Sequence, residues 1–421
     1  MSATESPAAP PAGGVDSAAA WARLAVALAL STLGGVGMWS VVVMLPAVQS
    51  EFGVLRSVAS LPYTANMLGF ALGGVLMGRV VDRFGIVPPV IGGAVALAAG
   101  YVAVSFTRDI WQFTLAQGLL IGFLGASATF APMIADISRW FERRRGLAVA
   151  ICASGNYLAG AIWPPVITWL MSEIGWRHTS LVIGAVCLVA MIPLALLLRR
   201  PAPEARSGSG QGAAPGTMKR PDVALAPGVL QALILVAGLA CCVAMSMPQV
   251  HIVAYCGDLG YGVARGAEML SLMLALGVVS RLVSGWISDR IGGVRTLLLG
   301  SVLQGLTLAL YIPFDGLASL YVVSALFGLA QGGIVPSYAV IVREYFPARE
   351  AATRVGVAIM ATIVGMALGG WLSGVIFDLT GSYRAAFVNG LAWNALNIGI
   401  CLVLITGGRR RGVRPGTARP A

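Results

Sequence analysis

The sequence is poor in charge: charged residues make up only 11% of its 421 residues, and lysine occurs once, at Lys219. Soluble globular domains carry about 25% charged residues, so this composition excludes an ordinary soluble protein. Hydrophobic residues reach 57%, and the mean hydropathy is +0.84. Both values are typical of a chain that crosses a membrane many times.

Groups that bind metals or perform covalent catalysis are also scarce. The six cysteines lie in or at the ends of apolar segments and lack the spacing of metal ligands, so we interpret them as small buried residues. The sequence has no Walker loop, zinc cluster or nucleophile elbow. It therefore predicts a protein that is not an enzyme and that has neither a cofactor nor a bound metal.

Twelve apolar runs, each of about 18 residues or more, predict an all-α membrane protein with twelve transmembrane helices. We expect residues 1–20 to form a disordered tail, because they are small, Pro-rich and without the positive region of a signal peptide. The composition of residues 199–227 predicts a cytoplasmic linker, and residues 408–421 form a basic tail. Six runs lie in residues 21–198 and six in residues 228–407: they are 22–46, 57–78, 88–107, 111–135, 147–171, 178–198, 228–253, 266–288, 293–314, 317–340, 351–377 and 384–407.

The net charge of +11 would suggest nucleic-acid binding in a soluble protein, but here its distribution has another explanation. With twelve crossings, 22 of the 28 basic residues fall on the side of the two termini and five on the other side. Basic residues concentrate on the cytoplasmic side of membrane proteins. We therefore expect a multi-pass protein of the cell (inner) membrane with both termini in the cytoplasm and no nucleic-acid partner.

The two halves of the chain repeat each other. The segment GRVVDRFG, residues 78–85, matches GWISDRIG, residues 285–292, at an offset of 207 residues, and at the same offset Arg177 falls on Arg384. Repeats of this kind build secondary transporters from two six-helix bundles with a binding site between them. The sequence thus predicts two pseudo-symmetric bundles.

One arginine, Arg281, lies well inside an apolar run. It precedes Asp289, at the charged end of the run, by eight residues, or about 12 Å of helix, which is close to half of a hydrocarbon core. Charges at that depth are costly and usually face a polar cavity that binds a ligand. The alternative is that Arg281 only pairs with carbonyl groups at helix ends or reaches the membrane surface.

The segment GRVVDRFG and its copy resemble the signature of the major facilitator superfamily, G-x-x-x-D-R-x-G-R/K, although residues 86–89 replace the basic residues that usually follow. This resemblance implies the major facilitator fold and an interdomain latch on the cytoplasmic face that includes Asp82, Arg83, Asp289 and Arg290. An ordinary tight turn is the alternative interpretation of the motif.

The runs MPQVHIVAYCGDLGYGVARG and EFGVLRSVAS are further similar to the bacterial monocarboxylate and oxalate/formate porter group. The resemblance implies transport of a small carboxylate that binds to Arg281. A guanidinium suits that role, since it is always charged and binds carboxylates with two parallel hydrogen bonds. Gly277 stands where proton-coupled relatives often carry aspartate, and the eleventh helix lacks the lysine of oxalate exchangers. A single intramembrane cation favours a monoanion over a dianion.

Further polar or aromatic side chains within the apolar runs are candidates for the substrate path. His251 could bind substrate or carry a proton, and Asp258 is either a second proton-coupling candidate or a loop acid. The others could equally serve as interhelical links, interface anchors or packing groups. These further substrate-binding candidates are Asn156, Tyr338, Tyr63, Asn66, Gln331 and Trp39.

The sequence therefore predicts a secondary active transporter of a small organic monocarboxylate, working by alternating access and with proton coupling left open. We expect it to act as a monomer whose partners are the organic anion, the lipid bilayer and, if transport is coupled, protons. One alternative is an exporter of amphipathic compounds within the same superfamily. Another is a carboxylate sensor that does not transport, although such a protein usually carries a signalling domain.

Overall fold

The computed structural model describes residues 14–200 and 226–407. Nearly all of the predicted linker 199–227, the whole of the basic tail 408–421 and most of the predicted tail 1–20 lie outside the described residues. We number the membrane crossings α1 to α12. They are α1 Ala18–Phe52, α2 Arg56–Phe84, α3 Val87–Ser105, α4 Ile110–Trp140, α5 145–174, α6 176–197, α7 Pro227–Asp258, α8 Val263–Ile291, α9 Gly293–Leu310, α10 Leu317–Tyr345, α11 Ala348–Thr380 and α12 Tyr383–Gly407.

Crossings α5 and α6 follow each other with almost no loop. Together they form one of the eleven long apolar segments found in the described residues, the 53-residue segment Arg145–Leu197. Gly175 interrupts this segment with φ 73° and ψ 162°, a backbone conformation that residues with a side chain rarely adopt. At about 1.5 Å per residue the segment is far longer than one bilayer requires, so the break at Gly175 divides it into two crossings.

Four crossings contain interruptions away from their ends, and α5 is one of them, since its helix stops at Ala153 and resumes at Gly155. The helix of α1 stops at Gly34 and resumes at Val36. Crossing α4 widens into a π-helix over Ala116–Gly125 before a short 3₁₀ turn, and α10 breaks at Gly332. Such breaks release backbone groups from their helical partners, and in membrane proteins they occur where the backbone is buried in protein or lines a cavity.

Glycines bring helices into close contact within each bundle. In the N-terminal bundle, a Cβ added to Gly69 of α2 would overlap the carbonyl oxygen of Gly118 of α4. In the C-terminal bundle, a Cβ on Gly328 of α10 would overlap the carbonyl oxygen of Met273 of α8. The two contacts join equivalent helix pairs of the two halves, as the repeat predicts. Small residues allow this approach, which stabilises helix packing where no hydrophobic effect operates.

The two bundles meet mainly along three helix pairs, which are α1 with α7, α2 with α11 and α5 with α8. The last two pairs are equivalent under the internal repeat. We call the end of the bundles at which α1 begins the terminal end. The opposite end, which carries the α1–α2, α7–α8 and α11–α12 connections, is the distal end. The three helix pairs form most of the interface between the two bundles.

A buried ion pair links α1 to α4 at the terminal end. Arg23 binds the carboxylate of Asp136 through Nε at 2.7 Å and Nη2 at 3.0 Å, and its Nη1 donates to the carbonyl oxygens of Leu198 and Arg200. The guanidinium also lies 4.6 Å from the ring centroid of Trp140. Arg23 thus ties three parts of the N-terminal bundle together and satisfies carbonyl groups at the end of α6.

Candidate functional site

Arg281 extends from α8 across the interface between the bundles. Its Nη1 donates to the carbonyl oxygen of Ala153 on α5 at 2.8 Å, and its Nε donates to that of Gly332 on α10 at 3.3 Å. Both carbonyl groups lie at helix interruptions, so they lack an ordinary helical partner. Arg281 therefore does pair with carbonyl groups at helix ends, as the alternative interpretation of its position predicted.

Within the described residues, Nη2 of Arg281 forms no hydrogen bond and no acidic side chain forms an ion pair with this guanidinium. The side chain is only partly exposed. A positive charge held by neutral carbonyl groups at this depth attracts anions, because little water is available to screen it. The carbonyl contacts orient the guanidinium and leave one of its edges free for a ligand.

An aromatic ring covers one face of this arginine. The guanidinium carbon of Arg281 lies 4.2 Å from the ring centroid of Tyr157, a buried residue of α5 in the opposite bundle. The indole Nε1 of Trp39 donates to the carbonyl oxygen of Asn156 at 3.0 Å. The side-chain oxygen of Asn156 is buried, has no hydrogen-bond partner among the described residues and faces the break in α1 at Gly35. Trp39 thus contacts, and Asn156 belongs to, the turn of α5 that also carries Tyr157, the residue in contact with Arg281.

A pair of glutamines lies beside the same break in α10. Nε2 of Gln249 on α7 donates to Oε1 of Gln331 at 2.5 Å, and Gln331 directly precedes Gly332. The remaining amide atoms, Oε1 of Gln249 and Nε2 of Gln331, are buried and lack partners within the described residues. Buried amide groups normally find partners, so this pair retains one donor and one acceptor for a ligand or water.

His251 lies fully buried on α7, away from Arg281, in a network near the distal end. Its Nε2 contacts the carbonyl oxygen of Gly370 at 2.7 Å and its Nδ1 contacts the hydroxyl of Tyr383 at 3.0 Å. A carbonyl oxygen only accepts, so Nε2 carries the proton and Nδ1 accepts the hydroxyl hydrogen. Tyr383 in turn accepts from Nη1 of Arg56 at 2.8 Å, which fixes the direction of every bond in the chain.

Asp258, the other proton-coupling candidate, ends α7 at the same network. Its carboxylate accepts from Nη2 of Arg56 at 3.0 Å. The carboxylate side chain is 35% exposed, whereas that of Arg56 is 9% exposed. The structure thus places Asp258 in an ion pair between the two bundles.

Three candidates lie elsewhere in the bundles. Nδ2 of Asn66 donates to the carbonyl oxygen of Gly37, which links α2 to α1. The hydroxyl of Tyr338 donates to Oδ1 of Asn397 at 3.1 Å within the C-terminal bundle. Tyr63 packs against Gly370 of the opposite bundle, and its buried hydroxyl has no hydrogen-bond partner among the described residues. Asn66 and Tyr338 therefore have contacts typical of interhelical links, while Tyr63 lies at the interface.

The residues of the predicted latch are exposed at the terminal end. Arg83 lies 5.2 Å from the ring centroid of Phe84, and Arg290 lies 3.5 Å from that of Trp286. Within the described residues, the carboxylates of Asp82 and Asp289 form no hydrogen bond or ion pair. The latch residues are therefore disengaged in this conformation, while polar contacts join the bundles at the distal end.

Comparisons with known proteins decide the family. The family model described as Major Facilitator Superfamily matches residues 27–320 and 269–421. The chain belongs to the major facilitator superfamily. It is 30% identical over 349 residues to Monocarboxylate transporter 13 of Bos taurus, covering 82% of this chain and 79% of that protein. It is also 27% identical over 317 residues to MFS transporter asaE of Aspergillus flavus, covering 74% and 69%.

A solved structure shows the same fold. A mutant of the nucleoside transporter NupG superimposes with a TM-score of 0.67 at 14% identity, covering 91% of this chain and 99% of that one. The predicted all-α major facilitator fold and the resemblance to the monocarboxylate porter group are thus confirmed. Proteins of this superfamily are transporters, so the expectation that the chain is not an enzyme is confirmed as well.

Sequence reasoning missed several residues around these sites. Tyr157 directly follows the candidate Asn156, but its position under Arg281 depends on how α5 faces α8. Gln249 lies two residues before His251, but its side chain contacts Gln331 on α10. Arg56 counted only as a basic residue near a loop, because its partner Asp258 is 202 residues away in the chain. No local pattern could have revealed that ion pair.

Proposed function

We propose that this member of the superfamily is a secondary transporter that moves a small organic monocarboxylate by alternating access. Similarity to monocarboxylate transporters supports the substrate class. The fold supports the mechanism, because in such transporters the substrate site lies between two bundles that rock about it. Beyond the family assignment, the proposal names a substrate class, a binding residue and the pairing of a positive side chain with a negative substrate.

The observation that carries the proposal is the free edge of Arg281 at the bundle interface. One carbonyl contact comes from each bundle, at Ala153 and Gly332, so the guanidinium responds to the movement of both. A carboxylate that binds Nη2 gains a charge-assisted hydrogen bond, which is shorter and stronger than a neutral one. The ligand also neutralises a partly buried charge that no carboxylate of the described residues compensates.

Trp39, Tyr157, Asn156 and Gln331 complete the proposed site. The aromatic rings of Trp39 and Tyr157 provide an apolar wall for the carbon skeleton of a small acid, while the amides of Asn156 and Gln331 offer hydrogen bonds to its polar groups. One guanidinium balances one carboxylate. We therefore propose a monoanion as the substrate, since a dianion would leave one charge unpaired in a site of low dielectric.

We place the protein in the cell (inner) membrane as a monomer, with its terminal end in the cytoplasm. The excess of basic residues on the side of the termini supports this orientation. In this orientation, the latch residues Asp82, Arg83, Asp289 and Arg290 face the cytoplasm. The distal network then closes the external entrance in the present conformation.

We further propose that transport is coupled to a proton and that His251 carries it. The charged and titratable groups that face His251 are Arg56 on α2, Asp378 on α11 and Tyr383 on α12. A proton on Nδ1 of His251 would meet the hydroxyl hydrogen of Tyr383, which would have to turn away. Protonation of His251 therefore acts on the contacts between the bundles, which links proton uptake to conformation.

The proposal is tested by thermal stabilisation of the purified protein with a panel of monocarboxylates, dicarboxylates and neutral amphipathic compounds. A ligand that binds the native state raises the melting temperature by mass action. We expect stabilisation by a short monocarboxylate, and loss of that effect in Arg281→Ala but not in Arg384→Ala, which removes an exposed arginine. Stabilisation only by amphipathic compounds would overturn the proposal in favour of the exporter.

A further inference from the structure

From the contacts of Arg56 we infer that Arg56, Asp258, Asp378 and Tyr383 form a distal gate, whose opening is required for the opposite conformation of the transport cycle. This inference rests on the proposed transport function. Arg56 belongs to the N-terminal bundle, and the other three residues belong to the C-terminal bundle. The side-chain bonds of Arg56 to Asp258 and Tyr383 both cross the boundary that must separate when the distal side opens.

Asp378 contributes a second kind of contact. One carboxylate oxygen accepts from the backbone N–H of Arg56 at 2.9 Å and the other accepts from that of Ser57 at 2.8 Å. These N–H groups belong to the first turn of α2, where no intrahelical acceptor exists, and Leu55 before them provides no side-chain cap. A carboxylate there also suits the positive end of the helix dipole. Asp378 therefore caps α2 of the other bundle. It can do so only while the two bundles are in contact at this end.

Helix packing beside the gate matches this assignment. A Cβ added to Gly374 of α11 would lie 2.9 Å from the carbonyl oxygen of Arg56 and 2.8 Å from Oγ of Ser60. Backbones at this separation leave no space for a ligand or a column of water. The distal half of the α2–α11 contact is thus sealed, whereas the latch carboxylates at the terminal ends of α2 and α8 have no partner in the part of the chain that the structure describes.

Two features lower the free energy needed to open the gate. A cavity of about 400 Å³, lined by Gln49, Ser50, Arg56 and Asp258 among others, borders the ion pair from the distal side. Water can therefore reach Asp258 when the pair separates, which reduces the desolvation penalty of the free ions. Nε of Arg56 is buried without an acceptor among the described residues, so the closed gate leaves one hydrogen bond unmade and is less stable than a fully satisfied network.

The gate is tested by measuring the distance between spin labels at Glu173→Cys on α5 and Ala318→Cys on α10, two exposed positions at the distal ends of opposite bundles. The six native cysteines are buried, and protein without the two added cysteines gives the labelling background. We expect short distances in the parent protein and a shift to longer distances in Arg56→Ala and Asp258→Asn. The double variant Arg56→Asp with Asp258→Arg should restore the short distances, which loss of local structure would not do.

Arg265→Ala is the matched control, because it breaks an ion pair with Glu268 at the distal end that lies within one bundle. It should leave the distances unchanged. Unaltered distances in Arg56→Ala and Asp258→Asn, or an equal shift in Arg265→Ala, would overturn the gate. The measurement uses no substrate, so a wrong carboxylate assignment leaves its result valid, and a failed gate leaves the binding test of Arg281 unaffected.

Discussion

The ring of Tyr157 on α5 lies 4.2 Å from the guanidinium carbon of Arg281 on α8, so a contact between a cation and an aromatic face joins the two bundles at the proposed substrate site. Such a contact contributes about 0.5–2 kcal/mol, with the larger values at sites shielded from water. It holds the guanidinium in one plane while the carbonyl groups of Ala153 and Gly332 fix its direction.

Replacing Tyr157 tests the aromatic support of Arg281. Tyr157→Leu removes the ring face, and we expect the substrate affinity to fall about fivefold, which corresponds to about 1 kcal/mol. Tyr157→Phe keeps the face and should bind substrate nearly as well as the parent protein. The check is a binding titration with a monocarboxylate for both variants. Equal losses in the two variants would assign the effect to the hydroxyl group and contradict the account.

Replacing His251 tests the proposed proton coupling. We expect uptake by the parent protein to rise as the external pH falls, because protonation of His251 disturbs its bond with Tyr383 and loosens the distal contacts. His251→Gln cannot gain this proton, so its uptake should be independent of pH. Initial uptake rates across a pH series provide the measurement. His178→Gln, which changes an exposed histidine, is the control and should keep the slope; loss of the slope in both variants would point to another cause.

The ion pair of Arg23 and Asp136 tests a structural role apart from transport. Arg23→Ala leaves a buried carboxylate without its partner, which costs about 3–5 kcal/mol. Changing both residues to alanine should be less destabilising than the single change, since no uncompensated charge remains. Thermal unfolding of the purified variants measures the effect. A single variant as stable as the parent protein would show that the pair contributes no stability.

The latch residues lead to a prediction about the opposite conformation. The carboxylates of Asp82 and Asp289 have no partners among the described residues of the distal-closed structure, and we expect them to form contacts when the terminal end closes. Asp82→Asn should therefore reduce the population of distal-open molecules, seen as loss of the long spin-label distances, and should slow transport without weakening ligand binding. Asp315→Asn, at the distal end of the C-terminal bundle, is the control. A normal distance distribution in Asp82→Asn would exclude the latch.

Much of the architecture follows from sequence, for physical reasons. Apolar runs long enough to cross a bilayer predict the helices, and the repeat at an offset of 207 residues predicts the two bundles. Arg281 stands out because a charge within an apolar run is costly. In each case the signal is local or periodic, so it does not depend on how helices pack against one another.

The site could be predicted only in part. Asn66, Asn156 and Tyr338 are all polar side chains in apolar helices, yet Asn156 adjoins Tyr157, which contacts Arg281, while the other two form hydrogen bonds within their bundles. Which side of a helix faces the interface depends on neighbours far away in the chain. The distal network was hidden for the same reason, since its contacts join residues more than one hundred positions apart, and 202 positions separate Arg56 from Asp258.

The most direct test of the central claim is uptake of a labelled short monocarboxylate into proteoliposomes that contain the parent protein, Arg281→Lys or Arg384→Lys. Lysine keeps the charge of Arg281 but cannot contact the two carbonyl groups and a carboxylate in the same geometry. The account predicts uptake by the parent protein and by Arg384→Lys, and none by Arg281→Lys despite normal folding. Uptake by Arg281→Lys at the parental rate would contradict the role of Arg281 as the carboxylate-binding residue.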